Sequence, residues 1–392
     1  MTDPLRDPRF FADPYPTYAL LRDAAPVRKV PTGSGGHHSY LVTGYEEARQ
    51  AFTDPRLSKD TARFFAGRPS QRDLHPAVSR NMLATDPPRH GRLRSLVTKA
   101  FTTGAVARLR PYIAGLVGEL LAAWPEHGPV DLVESVAVPL PVTVICEMLG
   151  VPEADRALLR SWSGELFAAG EPGRIDAASH AVGDYMTELV AAKRKSPGES
   201  LLDDLVAVRD SQDRLSEDEL VSIAVLLLVA GHETTTNFIG NAALALLQHP
   251  DSAARLRQDP QSLPGTLDEL LRFDSPVGIA TFRYSTEELT LGGTVIPAGV
   301  PVLIAPGAAN RDPARFPDPD RLDLDRSATG HLAFGHGIHR CLGAPLARAE
   351  AELALGAILS RFPEARLAVP AEDLKWRHTR LMRGLTALPL LV

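Results

Sequence analysis

The sequence predicts a mainly α-helical fold with small β-sheets, an α+β arrangement held in one domain over residues 1–392. Three observations carry that reading. From 88 to 259 apolar residues recur at three- and four-residue spacing, the period of a helix. Alternating apolar segments are confined to the two ends of the chain, at 39–43 and around Gly292-Gly293. No Pro-, Gly- or Ser-rich linker separates two independent halves.

The elements follow in order. Residues 1–60 mix proline-rich turns with a strand at 39–43 and a helix over 45–54. Residues 60–83, polar and carrying Gly67 and Pro69, read as a long loop, and loops of that length inside a compact domain are often functional. The helical region is interrupted at Pro125, Pro139/Pro141, Pro152, Pro172 and Pro197, because proline lacks an amide hydrogen and clashes with the preceding turn. A further helix is expected over 263–274. Short strands then follow at 279–284 and 289–303, with a hairpin at Gly292-Gly293. A Pro/Asp-rich meander over 306–333 leads to a glycine-rich segment, and helix-forming sequence resumes over 344–362. Residues 381–390 predict a closing hairpin that turns at Arg383-Gly384.

Composition narrows the class. The chain has 392 residues, 44% hydrophobic and 23% charged, with a net charge of -6. An acidic chain does not suit nucleic-acid binding. Two cysteines cannot build a disulfide framework, so a reducing cytoplasm is expected. The N-terminus has no apolar signal region, and the longest aliphatic run, 220–231, is shorter than a membrane span. The expectation is therefore a cytoplasmic monomer that binds neither nucleic acid nor membrane.

Four constellations could carry chemistry. Cys341 lies in Phe334-Gly335-His336-Gly337-Ile338-His339-Arg340-Cys341-Leu342-Gly343, where glycines let the backbone bend around the sulfur and a flat group approach. The following helix would offer its N-terminus to a thiolate. Such a sulfur suits an axial iron ligand; taken alone, a lone thiol is more often an inert core residue, and the glycines and flanking basic residues reverse that reading. Cys146, in an apolar helical stretch, reads as core.

The second constellation is Ala230-Gly231-His232-Glu233-Thr234-Thr235-Thr236, poor helix-interior sequence inside an apolar helix. Threonine hydroxyls there predict an opened or bent helix. Glu233 and Thr234 would be polar groups in a core, costly unless partnered or used, as in a proton relay. A zinc motif is excluded because position 236 is threonine where a second histidine ligand is required. The third is Glu269 and Arg272 on one helical face, commonly a surface ion pair. The fourth is His90 and Arg94, four apart, which together with Arg283 and His339 could pair with carboxylates on a cofactor.

Combined, these motifs resemble a cytochrome P-450, a haem-thiolate monooxygenase of the soluble bacterial, actinobacterial secondary-metabolism type. The resemblance runs from Asp13-Pro14-Tyr15 to Ala387-Leu388-Pro389 and is most specific at Phe334, Gly337, Cys341 and Gly343. It implies the fold of that family, with haem b between the oxygen-activation helix and the cysteine loop, and Cys341 as the axial iron ligand. Ala230 and Gly335 would adjoin the haem, Phe334 would pack beside the sulfur, and His90, Arg94, Arg283 and His339 would hold the propionates. Glu233 and Thr234 would deliver protons during oxygen activation. Glu269, Arg272 and Arg321 would form a structural triad fixing the meander. Leu322 stands where phenylalanine is commoner, and His232 is read as leaving the relay unaltered.

The implied substrate pocket is lined by the 60–84 loop and by Leu226, Val229, Ala230, Ile279, Ala280, Leu381 and Met382. Its apolar character points to a lipophilic substrate. The resemblance implies a macrolide, other polyketide or terpenoid intermediate, hydroxylated or epoxidised with O2. Arg63, Arg68 and Arg72 could meet a polar group on it. Electrons would come from a ferredoxin and ferredoxin reductase, docking at a basic patch of Arg92, Lys99 and Arg340. The competing expectations are a peroxide-driven peroxygenase and a non-enzymatic haem-binding or gas-sensing protein.

Overall fold

Helices dominate, and the 32-residue helix Glu217–Gln248 shows why. It opens with a capping box: the Ser216 hydroxyl accepts from the Glu219 amide, and the Glu219 carboxylate accepts from the Ser216 amide, each at 3.2 Å. Glu217, Asp218 and Glu219 complement the dipole at its first turn. It ends before Pro250, which starts the next helix, Pro250–Gln258. The helix runs without a break through 231–236. Burial of the apolar residues on either side outweighs weak local propensity. By length and composition this helix could cross a membrane, but 72% of its most apolar window is buried within the protein, as in a core helix.

The computed structural model describes residues 4–32, 37–67, 72–167, 171–212 and 215–392. The chain divides into two compact units, each discontinuous in sequence: Met1–Ser58, Leu109–Leu140 and Thr234–Val392 form one, Lys59–Arg108 and Pro141–Glu233 the other.

The first unit holds a five-stranded sheet made of β1 (Val27–Pro31), β2 (His38–Val42), β3 (Leu57–Ser58), β4 (Arg283–Ser285) and β5 (Pro301–Ile304), in the order β1-β2-β5-β4-β3. Only β2 and β5 run parallel, with Leu41 opposite Leu303. Successive residues serve different cores: Leu41 packs with Leu5, Phe10 and Tyr18, and Val42 with Tyr45, Phe52 and Phe316. The helix predicted at 45–54 is Tyr45–Thr53. The hairpin at Gly292-Gly293 is present, both glycines left-handed at φ 51° and 76°, as a tight turn of that kind requires. Helices Leu263–Phe273 and Ala344–Arg361 match expectation.

Two strand expectations fail. Only Arg283–Ser285 of the 279–284 region is a strand. Residues 381–390 do not form a hairpin at Arg383-Gly384. Met382 and Leu385 make isolated bridges to Val277 and Trp376, and Pro389–Leu391 pairs with Pro129–Asp131 and Arg366–Leu367. Side-chain anchoring overrides the turn. Arg383 Nε donates to Asp274 at 2.5 Å, its guanidinium lies 3.7 Å from the Trp376 ring centroid, and Asn241 Nδ2 donates to the Arg383 carbonyl.

In the second unit Pro172 begins the helix Pro172–Lys195 instead of only ending its predecessor. The predicted 60–83 loop contains short helices, Thr61–Phe65 capped by Asp60 and Pro76–Ser79 capped by His75. Arg72 of that segment donates to Asp176 at 2.8 Å, and Arg68 lies outside the described residues. Arg92 pairs with Glu219, so it is not a spare surface cation of a basic patch. Cys146, on Pro139–Leu149, is buried as expected, and burial pushes its thiol up to about 11.

Candidate active site

The cysteine loop is built by backbone geometry. Gly335 and Gly337 both sit in the left-handed region, at φ 69° and 74°. A Cβ on Gly337 would also lie 2.9 Å from Thr53 Cγ2 and 3.1 Å from the Phe52 carbonyl, so only glycine fits there. The Cys341 amide donates to the Phe334 carbonyl at 2.8 Å and closes the loop. The thiol is exposed, and Gly343 carries no side chain where the helix Ala344–Arg361 begins. Phe334 is held from the far side. The Arg348 guanidinium lies 4.6 Å from its ring centroid and the His331 ring 5.6 Å away, and both side chains reach Asp268 on the helix Leu263–Phe273. Burial opposes ionisation of Asp268, but hydrogen bonds from His331 and Arg348 outweigh it and hold the carboxyl at about 2. Sequence reasoning missed Asp268, His331 and Arg348; nothing in their spacing signals a common partner.

The Glu269–Arg272 pair is fully buried, not a surface ion pair. Arg272 donates to both carboxylate oxygens of Glu269 at 2.6 and 2.8 Å, and to the carbonyls of Asn310, Pro319 and Arg321. Glu269 also accepts from the Asp323 amide at 3.0 Å and from Arg326 Nε at 3.2 Å. This corrects the triad. Arg321 contributes its backbone carbonyl while its side chain is exposed, and the second guanidinium on Glu269 belongs to Arg326, five residues on. The Asp318 carbonyl accepts from Arg326 as well, in a tight turn where Asp318 has φ 47°. The turn aims residue 326, not 321, at the carboxylate.

On the helix Glu217–Gln248 almost every side chain is buried, yet Leu226, Val229, Ala230 and Thr234 keep exposed surface. Their spacing of three, four and eight places them on one face. Glu233 is buried one position round, beside His232 and Gly164.

A family model described as Cytochrome P-450 matches residues 173–375. The chain is 47% identical to the cytochrome P-450 monooxygenase PikC of Streptomyces venezuelae, over 97% of this chain and 91% of that protein. It is 43% identical to the 6-deoxyerythronolide B hydroxylase of Saccharopolyspora erythraea, over 98% of each. The solved structure of the tirandamycin C-bound P-450 monooxygenase TamI superposes with a TM-score of 0.92 at 48% identity, covering 98% of each chain. The chain belongs to the cytochrome P-450 family. It is a monooxygenase, and the family's cofactor is haem b.

The residues of this cytochrome P-450 fit that cofactor. Cys341 offers one soft sulfur, exposed above a glycine-lined turn, and the accessible helix face is apolar up to the Thr234 hydroxyl. Arg283 is buried with its guanidinium 5.0 Å from the Phe52 ring centroid, and Phe52 itself lies 3.8 Å from where a Cβ on Gly335 would be. His339 is half-buried in the same loop. In the second unit His90 and Arg94 share the helix Arg89–Val97. Burial, then the charges of Arg94 and Lys59, push the His90 imidazole below its usual range, so it is neutral near pH 7.

The expected pocket residues divide. Leu226, Val229 and Ala230 lie on the accessible stripe, and Ala280 and Leu381 are half-buried. Ile279 does not belong with them: its side chain packs into the core with Leu5, Phe10, Tyr18 and Leu41. Met382 is likewise buried. The bridge to Val277 and the Gly278 amide's bond to the Leu381 carbonyl fix this alternation.

Proposed function

We propose that this chain is a single haem-thiolate domain over residues 1–392, with Cys341 as the iron ligand, acting on a lipophilic macrolide, polyketide or terpenoid intermediate. The observation that carries this reading is the cysteine loop of the first unit, an exposed thiol on a glycine turn closed by the Cys341 amide. A stripe of accessible residues along an otherwise buried helix, apolar but for its terminal hydroxyl, supports the lipophilic substrate. When bound, the haem supplies the redox chemistry that activates dioxygen and oxidises a C–H or C=C bond.

The remaining work falls to the protein. The loop amide bond and the glycines hold the sulfur in place, and the Asp268–Arg348–Phe334 stack backs it. Arg283 and His339, with His90 and Arg94, act as donors to the propionates. Ala230 and Gly335 leave room for a flat ring. Leu226 and Val229 exclude water and select apolar substrates, which carry the smaller desolvation cost. Thr234 presents a hydroxyl and Glu233 a carboxyl, which hold and pass protons. A ferredoxin with its reductase supplies the electrons, in the cytoplasm, to a monomer. Relatives that hydroxylate 6-deoxyerythronolide B or bind tirandamycin C support a bulky oxygenated lipophile as substrate.

Cys341→Ser tests the ligand: the thiolate-type absorption band of the reduced carbon monoxide complex should vanish, and its survival would refute the assignment. Titrating a panel of macrolactones and terpenoids against the spin-state change of the haem tests the substrate class; a response only to small polar compounds would overturn it. Peroxide-driven turnover that exceeds ferredoxin-driven turnover would favour a peroxygenase instead.

A further inference from the structure

His232 is 1% exposed and Ser163, on the helix Arg156–Phe167, is fully buried. The His232 Nδ1 lies 2.9 Å from the Leu228 carbonyl, and Nε2 lies 3.0 Å from Ser163 Oγ and 3.4 Å from Glu233 Oε1. Ser163 has one hydroxyl hydrogen, and its Oγ lies 2.7 Å from the Leu159 carbonyl. The Leu228 carbonyl only accepts, so Nδ1 donates to it. Ser163 engages the other ring nitrogen, and the Nε2 edge of the ring faces the Glu233 carboxylate.

We propose that Ser163 and His232 form a positioning pair that holds the Glu233 carboxylate in one rotamer for proton delivery. The inference rests on the reading of Glu233 as a relay residue. His232 is thereby a working part of the site, whereas the motif alone leaves the relay unaltered by it. Leu159 holds Ser163, Ser163 and Leu228 hold the ring, and the ring faces Glu233. Gly164 permits this, because the position of a Cβ there lies 3.8 Å from Glu233 Oε1 and a larger side chain would crowd the carboxylate.

The test uses the haem-loaded protein. Nitrogen-15 NMR of histidine-labelled enzyme, with the His232 signals assigned by their loss in His232→Gln, should show hydrogen on Nδ1, held by the Leu228 carbonyl; a bare Nδ1 would overturn the proposal. Hydrogen peroxide released per NADPH consumed, with ferredoxin and reductase and no organic substrate, gives a second readout. His232→Phe should raise that ratio several-fold, His232→Gln less, because its amide can still hydrogen-bond to Ser163. The double variant His232→Phe/Glu233→Gln should be no worse than Glu233→Gln alone, since coupled residues are non-additive. If Glu233→Gln raises the ratio and His232→Phe does not, this inference fails while the relay reading stands. If Glu233→Gln itself changes nothing, the relay reading fails.

Discussion

Glu269 and Glu233 are both buried carboxylates on helices, each beside a nitrogen base, and the contrast between them separates structure from chemistry. Glu269 accepts from two guanidinium groups and a backbone amide, and its partner Arg272 spends its remaining donors on three carbonyls of the meander. Every group is saturated and arginine stays charged, so the cluster is a fixed pin. Glu233 faces a histidine ring at 3.4 Å, and its neighbour Thr234 keeps accessible surface. A carboxylate locked between arginines anchors, whereas on the proposed reading one beside a histidine and a partly accessible hydroxyl passes protons. Glu350, on the helix Ala344–Arg361, is a third case: it is buried, its Oε2 has no hydrogen-bond partner, and burial pushes its carboxyl well above the usual range.

The largest effect expected from breaking this contrast is at Arg272. Arg272→Ala strands Glu269 and the meander carbonyls, at a cost of about 3–5 kcal/mol, and should abolish accumulation of folded protein. Soluble yield and thermal unfolding check it; a stable Arg272→Ala protein would dissolve the distinction. Arg326→Ala should destabilise by about 1–3 kcal/mol, whereas Arg321→Ala should stay within about 0.5 kcal/mol, because only the backbone of Arg321 is used. The reverse order would restore Arg321 to the triad.

Glu350→Gln should be neutral or stabilising at neutral pH. An acid whose folded pKa is raised loses stability as pH rises from its unfolded value toward its folded one, so the gain over wild type should shrink toward pH 5. Urea unfolding at several pH values measures it. Asp268 has the opposite sign. Its folded value of about 2 lies below the unfolded 3.8, so its contribution is complete above about pH 4 and is lost as pH falls toward 2. The stability gap between wild type and Asp268→Asn should close over that window. Glu233→Gln should have the smallest effect on unfolding while shifting electrons from product to hydrogen peroxide.

Legibility in the sequence followed the range of the interaction. Helix periodicity, the glycine hairpin and the cysteine loop depend on residues within a few positions, and each was found. Arg326 was missed because the turn at Asp318 decides which arginine faces Glu269, and a pattern aligned on Arg321 does not carry that turn. The contact of His232 with Ser163 is invisible in the sequence because the two lie 69 residues apart. Ile279 and Met382 were misplaced because bridges between 276–278 and 381–383 set which alternate side chain turns inward.

By itself the sequence determined the mainly helical class and the family, and it marked the cysteine loop and the Glu233-Thr234 pair as candidates, since these reside in local spacing and residue chemistry. Tertiary structure alone decided which arginine completes the anchor, that Ile279 and Met382 turn into the core, and that His232 meets a distant serine. Those are outcomes of packing and hydrogen-bond saturation among residues far apart in the chain, where one turn or one register shift reassigns every partner.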